Sequence, residues 1–73
     1  MIHFEKMTVK SIWPWVADKI YFAVIRDGVE LETVINYFPT MKIWRLNYSD
    51  NEKLTDSEYN QVRKKVAFLN AEY

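Results

Sequence analysis

The chain has 73 residues, no cysteine, and ten basic and ten acidic residues that cancel to a formal net charge of zero. A chain of this length has room for one hydrophobic core, and without cysteine it has no disulfides, thiolate metal ligands or cysteine nucleophiles. The balanced charge argues against a general nucleic-acid binder, which usually carries a basic excess. With 49% hydrophobic and 16% aromatic residues, the chain is expected to fold as a single domain over residues 1–73.

Residues 1–18 carry the least regular pattern, and we expect an irregular or partly mobile segment there. Residues 2–8 alternate loosely, as a short strand or a tail would, whereas Thr8 could cap a short helix that Pro14 ends near Trp13. No apolar run reaches the length of a membrane span, and charges occupy the place of a signal-peptide core. We therefore expect a cytoplasmic protein that does not associate with a membrane.

Residues 19–35 predict a β-hairpin. Two runs rich in β-branched and aromatic residues flank Asp27-Gly28, and this dipeptide is typical of a type I′ turn because both turn positions need positive φ. A two-residue turn also predicts the register on one face of the hairpin. The expected pairs are Arg26 with Val29, Val24 with Leu31, Phe22 with Thr33, and Ile20 with Ile35. On the other face they are Ile25 with Glu30, Ala23 with Glu32, and Tyr21 with Val34.

The second half of the chain predicts one more strand and a helix. Residues 41–48 alternate again, with Trp44, Leu46 and Tyr48 on the core face. Residues 55–58 match a capping box, and a helix is expected over 55–70. Its apolar stripe should lie on the sheet and consists of Tyr59, Val62, Val66, Leu69 and Tyr73. The predicted fold is therefore α+β: an antiparallel sheet of three or more strands, with a β-meander over 19–48, packed on a C-terminal helix.

The supply of reactive side chains does not favour an enzyme. His3 is the one histidine, which is too few for a typical zinc site or a Ser–His–Asp arrangement near a flexible terminus. The acidic residues at 50–58 lack the glycine-containing loop of a calcium site, and Gly28 alone cannot form a phosphate loop. Glu30 and Glu32 would need a deep cleft to act as a glycosidase pair. We expect no catalytic residues, no cofactor and no metal.

Apolar surface in excess of what one helix can cover is the main functional signal. The candidate partner-binding residues are Trp13, Trp15, Tyr21, Ile25, Val34 and Ile43. Either residues 12–16 fold over the outer face of the sheet and complete the core, or part of this surface is offered to a partner protein. If the chain is extended around Pro14, the two indoles point in different directions. One would then fill the core and the other would face outwards.

A small nucleic-acid-binding module is the alternative function. Aromatic side chains on a sheet can stack bases, and Arg63-Lys64-Lys65 on the helix could contact phosphates. Acidic Asp27, Glu30 and Glu32 lie near the other basic residues and would repel phosphates. Direct nucleic-acid binding is therefore not the expected function.

In length, and in combining Ile12-Trp13-Pro14-Trp15 with the Asp27-Gly28 hairpin, the chain resembles the small bacteriophage transcription regulators that bind bacterial RNA polymerase. The resemblance implies a monomer in the host bacterial cytoplasm that contacts the β and β′ subunits of the polymerase. It further implies that the protein displaces the σ factor, inhibits initiation of transcription and acts as an antiterminator. The resemblance assigns no binding residue.

Overall fold

Four antiparallel strands form one sheet, and a helix packs on it, in the computed structural model, which describes residues 1–72. The strands follow one another in the sheet in chain order, so every connection is between neighbours. This arrangement confirms the predicted α+β fold, an antiparallel meander with a C-terminal helix. The elements are β1 (Ile2–Val9), β2 (Lys19–Arg26), β3 (Val29–Phe38), β4 (Ile43–Asn47) and α1 (Asp56–Ala71).

Strand β1 occupies much of the segment expected to be irregular. It pairs with β2 along its whole length, from Ile2 opposite Arg26 to Val9 opposite Lys19. Ile2 is buried and Phe4 half-buried on the face that α1 covers. These partners outweigh a weak local pattern, because strand formation depends strongly on neighbouring strands and burial. The short helix from Thr8 to Trp13 that the sequence also allowed does not form, since Thr8 and Val9 belong to β1.

The hairpin of β2 and β3 has the predicted turn, with φ of 50° at Asp27 and 82° at Gly28. The pairs next to the turn are also as predicted, Arg26 with Val29 and Ile25 with Glu30. Beyond them the predicted register is wrong by two residues, and Phe22 lies opposite Ile35. The cause is a bulge that gives β3 two extra residues between these pairs. A shift of two leaves every side chain on its predicted face.

The core lies between α1 and the inner face of the sheet. Trp44 is its largest side chain and packs against two other aromatic rings, with centroids 5.3 Å from Phe22 and 4.8 Å from Tyr37. Tyr48 lies past the end of β4 and is exposed, contrary to expectation, and its ring meets that of Tyr59 edge-on at 5.8 Å. Of the predicted helical stripe, Tyr73 falls outside the described residues. The buried core residues are Ile2, Val24, Leu31, Ile35, Trp44, Val62 and Leu69.

Two polar contacts attach α1 to the sheet, one near each end of the helix. At its start Thr55 forms the predicted capping box with Glu58, and the Arg26 guanidinium donates to both Glu58 carboxylate oxygens, at 3.0 and 2.7 Å. Near its end the Asn70 side chain accepts from the Trp44 N–H at 2.8 Å and donates to the Trp44 carbonyl at 3.1 Å. At the free edge of β4 the side-chain amide of Asn70 therefore makes the two hydrogen bonds that a backbone peptide group of a fifth strand would make.

The Asn70 contact predicts a specific loss of stability. We expect Asn70→Ala to lower the free energy of unfolding by about 1–2 kcal/mol, because two hydrogen bonds to the backbone of Trp44 are lost. Asn60→Ala is the matched control, since Asn60 is exposed on the same helix. It should change stability by less than about 0.5 kcal/mol. Urea denaturation measures both variants, and equal effects would show that the edge contact contributes nothing.

The Arg26–Glu58 pair predicts a dependence of stability on pH. The hydrogen bond from Arg26, together with that from the Thr55 backbone, lowers the pKa of Glu58 from 4.5 to about 2. Between these values the unfolded chain binds a proton at Glu58 that the folded protein does not bind. The contribution of Glu58 is therefore fully present above pH 4.5 and is lost as the pH falls towards 2.

Thermal melts of the wild type and Glu58→Gln between pH 7 and pH 2 measure this contribution. We expect the variant to be less stable at neutral pH and to lose less stability on acidification. Glu5→Gln, which removes an exposed carboxylate on β1, is the control and should follow the wild type. Parallel curves for the wild type and Glu58→Gln would contradict the assignment.

Candidate protein-binding surface

The connection between β1 and β2, residues 10–18, is here called the tryptophan loop. Its centre is a four-residue turn in which the Val16 N–H donates to the Trp13 carbonyl at 3.1 Å. Pro14 stands at the second position of this turn, where its fixed φ is favourable. Ser11 adds two bonds to Trp13: its hydroxyl accepts from the Trp13 N–H and donates to the Trp13 carbonyl, each at 3.1 Å.

The base of the tryptophan loop is also held. The Ser11 N–H donates to the Asp18 carboxylate at 2.9 Å, so the two ends of the loop are joined. A turn at the centre and a hydrogen bond at the base restrict the conformations that the loop can adopt. A loop ordered in this way loses less conformational entropy when it binds than a flexible loop does.

Both indoles of the tryptophan loop are exposed. Trp13 is 53% and Trp15 76% accessible to solvent, and neighbouring Ile12 reaches 85%. The expectation that one indole fills the core is therefore wrong, and residues 12–16 do not cover the outer face of the sheet. The expectation that the indoles diverge is wrong as well, because the ring centroids lie 5.2 Å apart at 30°. The physical reason is the turn at Pro14, which replaces the extended chain assumed from the sequence.

Most of the exposed apolar residues gather at one end of the sheet. This end, here called the loop end, carries the tryptophan loop and the β3–β4 turn at residues 39–42. The opposite end, with the Asp27-Gly28 turn and the start of α1, is called the hairpin end. The exposed apolar side chains at the loop end are Val9, Ile12, Trp13, Trp15, Val16, Phe38, Met41, Ile43 and, near the end of α1, Phe68.

Of the other four predicted site residues, three are partly or fully buried and one is exposed. Tyr21 and Val34 are half-buried and line an open groove of about 500 Å³ on the outer face, with Val9 and Lys19 also among its lining residues. Ile25 is buried on that face near the hairpin end, so it is not available to a partner. Ile43 is exposed at the loop end. The structure therefore groups three of the six residues, Trp13, Trp15 and Ile43, at one end.

Sequence reasoning missed that Ile12 and Val16 are exposed in the same loop as the indoles and that Phe38 is exposed at the same end of the sheet. The pattern Trp-Pro-Trp-Val, flanked by serine and aspartate, could have indicated a projecting turn. A proline at the second position is a turn signal even between apolar residues. The apolar character of the segment suggested burial instead.

The basic triplet of the alternative function does not form one patch. The Arg63 guanidinium lies over the Tyr59 ring at 6.0 Å, whereas the Lys65 ammonium lies over Phe22 at 4.7 Å, on the sheet side of α1. Arg26 is held by Glu58. Arg63, Lys65 and Arg26 therefore point in different directions.

No helix within residues 1–72 is both long and apolar enough to cross a membrane. In the same part of the chain, histidine and acidic side chains do not gather in groups of three or more that could hold a metal ion. The chain matches no protein-family model, no curated protein and no solved structure. The geometry of the loop end and the resemblance noted above are therefore the basis for assigning a function.

The exposure of both indoles predicts stable variants. We expect Trp13→Ala and Trp15→Ala each to cost less than about 1.5 kcal/mol of stability, since only the mutual stacking of two exposed rings is lost. Trp44→Ala should cost about 3–5 kcal/mol because it removes a buried ring. Denaturant titration measures all three variants.

Fluorescence supplies an independent readout of the same prediction. In Trp13→Phe/Trp15→Phe the remaining indole is buried Trp44, so its emission should be blue-shifted and resist quenching by acrylamide. The wild type should be quenched readily through its two exposed indoles. Equal quenching of the two proteins would contradict the exposed position of Trp13 and Trp15.

Proposed function

We propose that the chain is a regulator that acts by binding another protein through the tryptophan loop, and that its target is bacterial RNA polymerase. The stacked, exposed pair of Trp13 and Trp15 on a preorganised turn is the observation that carries the binding function. The target comes from the resemblance of the chain to small bacteriophage regulators of this enzyme. On this proposal the protein binds as a monomer to the β and β′ subunits, displaces the σ factor and inhibits initiation.

The indole pair supports a binding role on energetic grounds. A tryptophan that stays exposed in the free protein does not contribute the favourable free energy that burial of its indole would give. A domain of this size would avoid this cost if other residues stood in the loop. Tryptophan is also the residue type most enriched at the energetically dominant centres of protein interfaces. The two adjacent indoles and Ile12 form one apolar group, here called the anchor. A complementary pocket on a partner protein would bury this group and so remove it from water.

The hydrogen bonds of the loop support the same role. Because Ser11, Asp18 and the turn at Pro14 already order the loop, the anchor is presented without a large entropic cost of binding. A merely structural connection of nine residues between two antiparallel strands needs neither the exposed indoles nor these bonds. A small domain that binds through such an anchor can occupy a surface that a competing protein requires, which is the mode of action proposed here.

Binding to purified polymerase tests this function directly. We expect the wild type to bind core RNA polymerase and to reduce transcription from a σ-dependent promoter. Trp13→Ala and Trp15→Ala should each weaken binding at least tenfold, about 1.4 kcal/mol. Biolayer interferometry measures the affinity, and a run-off assay measures inhibition.

Val29→Ala is the matched control. Val29 is 60% exposed but lies at the hairpin end, so this variant should bind as the wild type does. Unchanged binding of both tryptophan variants would contradict the proposed surface. Binding only to nucleic acid, lost after nuclease treatment, would favour the alternative function.

A further inference from the structure

The zero net charge of the chain conceals a strong separation of charge along the molecule. The register of the strands and the direction of α1 place seven of the ten acidic residues towards the hairpin end, whereas four of the ten basic residues lie at or near the loop end. Glu5, Lys6, Arg63, Lys64 and Lys65 lie between the two ends, and the Lys65 ammonium lies over the rings of Phe4 and Phe22. The acidic residues at the hairpin end are Asp27, Glu30, Glu32, Asp50, Glu52, Asp56 and Glu58, beside the basic residues Arg26 and Lys53.

The loop end has the opposite balance. Asp18 and Glu72 are its acidic residues within the described part of the chain, and the Asp18 carboxylate already accepts from Ser11. The basic residues at or near this end are Lys10, Lys19, Lys42 and Arg45. Lys10 and Lys19 directly flank the tryptophan loop, and Lys42 lies in the neighbouring turn. The exposed apolar surface therefore has more basic than acidic residues beside it.

The two ends act independently at physiological ionic strength. The longest extent of the molecule is 39 Å, whereas exposed charges are screened over about 8 Å at 0.15 M salt. A partner that approaches the loop end therefore experiences the local positive charge and not the net charge of zero. Like charges repel, so an approach by the hairpin end to an acidic surface is disfavoured.

From this arrangement we infer that the loop end binds an apolar pocket whose rim is acidic on the surface of the partner protein, and that the separated charges orient the encounter. The inference rests on the proposed function, because it specifies the surface that the tryptophan loop recognises. Aspartate and glutamate side chains around the pocket would face Lys10, Lys19 and Lys42 while the indoles enter it. Complementary charge of this kind raises the association rate and suppresses wrong orientations.

A protein pocket accounts for the basic residues better than a flat anionic bilayer does. Arg45 lies back from the tip, near the middle of β4, so a flat surface that contacts the indoles does not reach it. Asp18 stands at the base of the loop itself, where a uniformly anionic surface would repel it. A partner that encloses the loop can place separate carboxylates opposite the separate lysines.

Charge reversal at the two ends tests the inference. Lys10→Glu/Lys19→Glu changes the loop end, and Lys53→Glu/Arg63→Glu is the control at exposed positions outside it. Both double variants change the net charge by the same amount, so only the location differs. We expect the loop-end variant to bind core RNA polymerase at least about tenfold more weakly at 0.15 M salt, and the control to change affinity less than about threefold.

Three probes separate the outcomes: core RNA polymerase, vesicles of phosphatidylserine and phosphatidylcholine, and single-stranded oligothymidine. If the tryptophan variants no longer bind polymerase but both charge variants bind as the wild type does, this inference is overturned and the proposed function remains intact. If the wild type does not bind polymerase, both proposals are overturned, whether or not it binds vesicles or oligothymidine. The inference is supported if only the loop-end variant binds polymerase more weakly and if the loss is mainly a slower association rate. Added salt should slow the association of the wild type in the same way.

Discussion

A single helix of sixteen residues has to cover a sheet of four strands, and the rest of the structure depends on this constraint. A helix with its side chains is about 10 Å wide, whereas four strands at about 4.8 Å spacing are wider. The helix therefore lies mainly against the β4 side of the sheet, and its position has to be fixed. The Arg26–Glu58 pair fixes it at one end and the Asn70–Trp44 contact at the other.

The same constraint determines how the sheet protects its edges. Asn70 pairs with β4, and past the end of β4 the loop at 48–52 runs beside the bulged part of β3. There the Ser49 N–H donates to buried Thr33 at 3.0 Å, and the Glu32 carboxylate accepts from Ser49 and Asn51. Because β4 is short, this part of β3 has no neighbouring strand to pair with on the β4 side. The hydrogen bonds from the loop at 48–52 give its polar groups partners instead. A domain without disulfides thus relies on a few polar contacts as well as on its apolar core.

Most of the fold could be predicted from the sequence because the hairpin turn and the start of the helix each have a strong local sequence signal. Asp27-Gly28 determined the turn, and the capping box at Thr55 and Glu58 determined where the helix begins. What could not be predicted depended on distant partners: β1 is stabilised by pairing with β2, and the bulge in β3 follows from contacts between strands and with the loop at 48–52. Of the candidate site residues, Trp13, Trp15 and Ile43 are exposed at the loop end, whereas Ile25 is buried; that they bind a partner stays a prediction.

The indoles can remain exposed because the core does not depend on the tryptophan loop. The core contains Trp44 and its aromatic neighbours on the inner face, and the tryptophan loop contributes no buried side chain to it. The loop is ordered by its own bonds through Ser11 and Asp18, and these do not involve the core. The exposed indoles and the basic residues beside them can therefore change without loss of the fold. A net charge computed for the whole chain does not describe such a surface, because the opposing charges lie farther apart than the distance over which salt screens them.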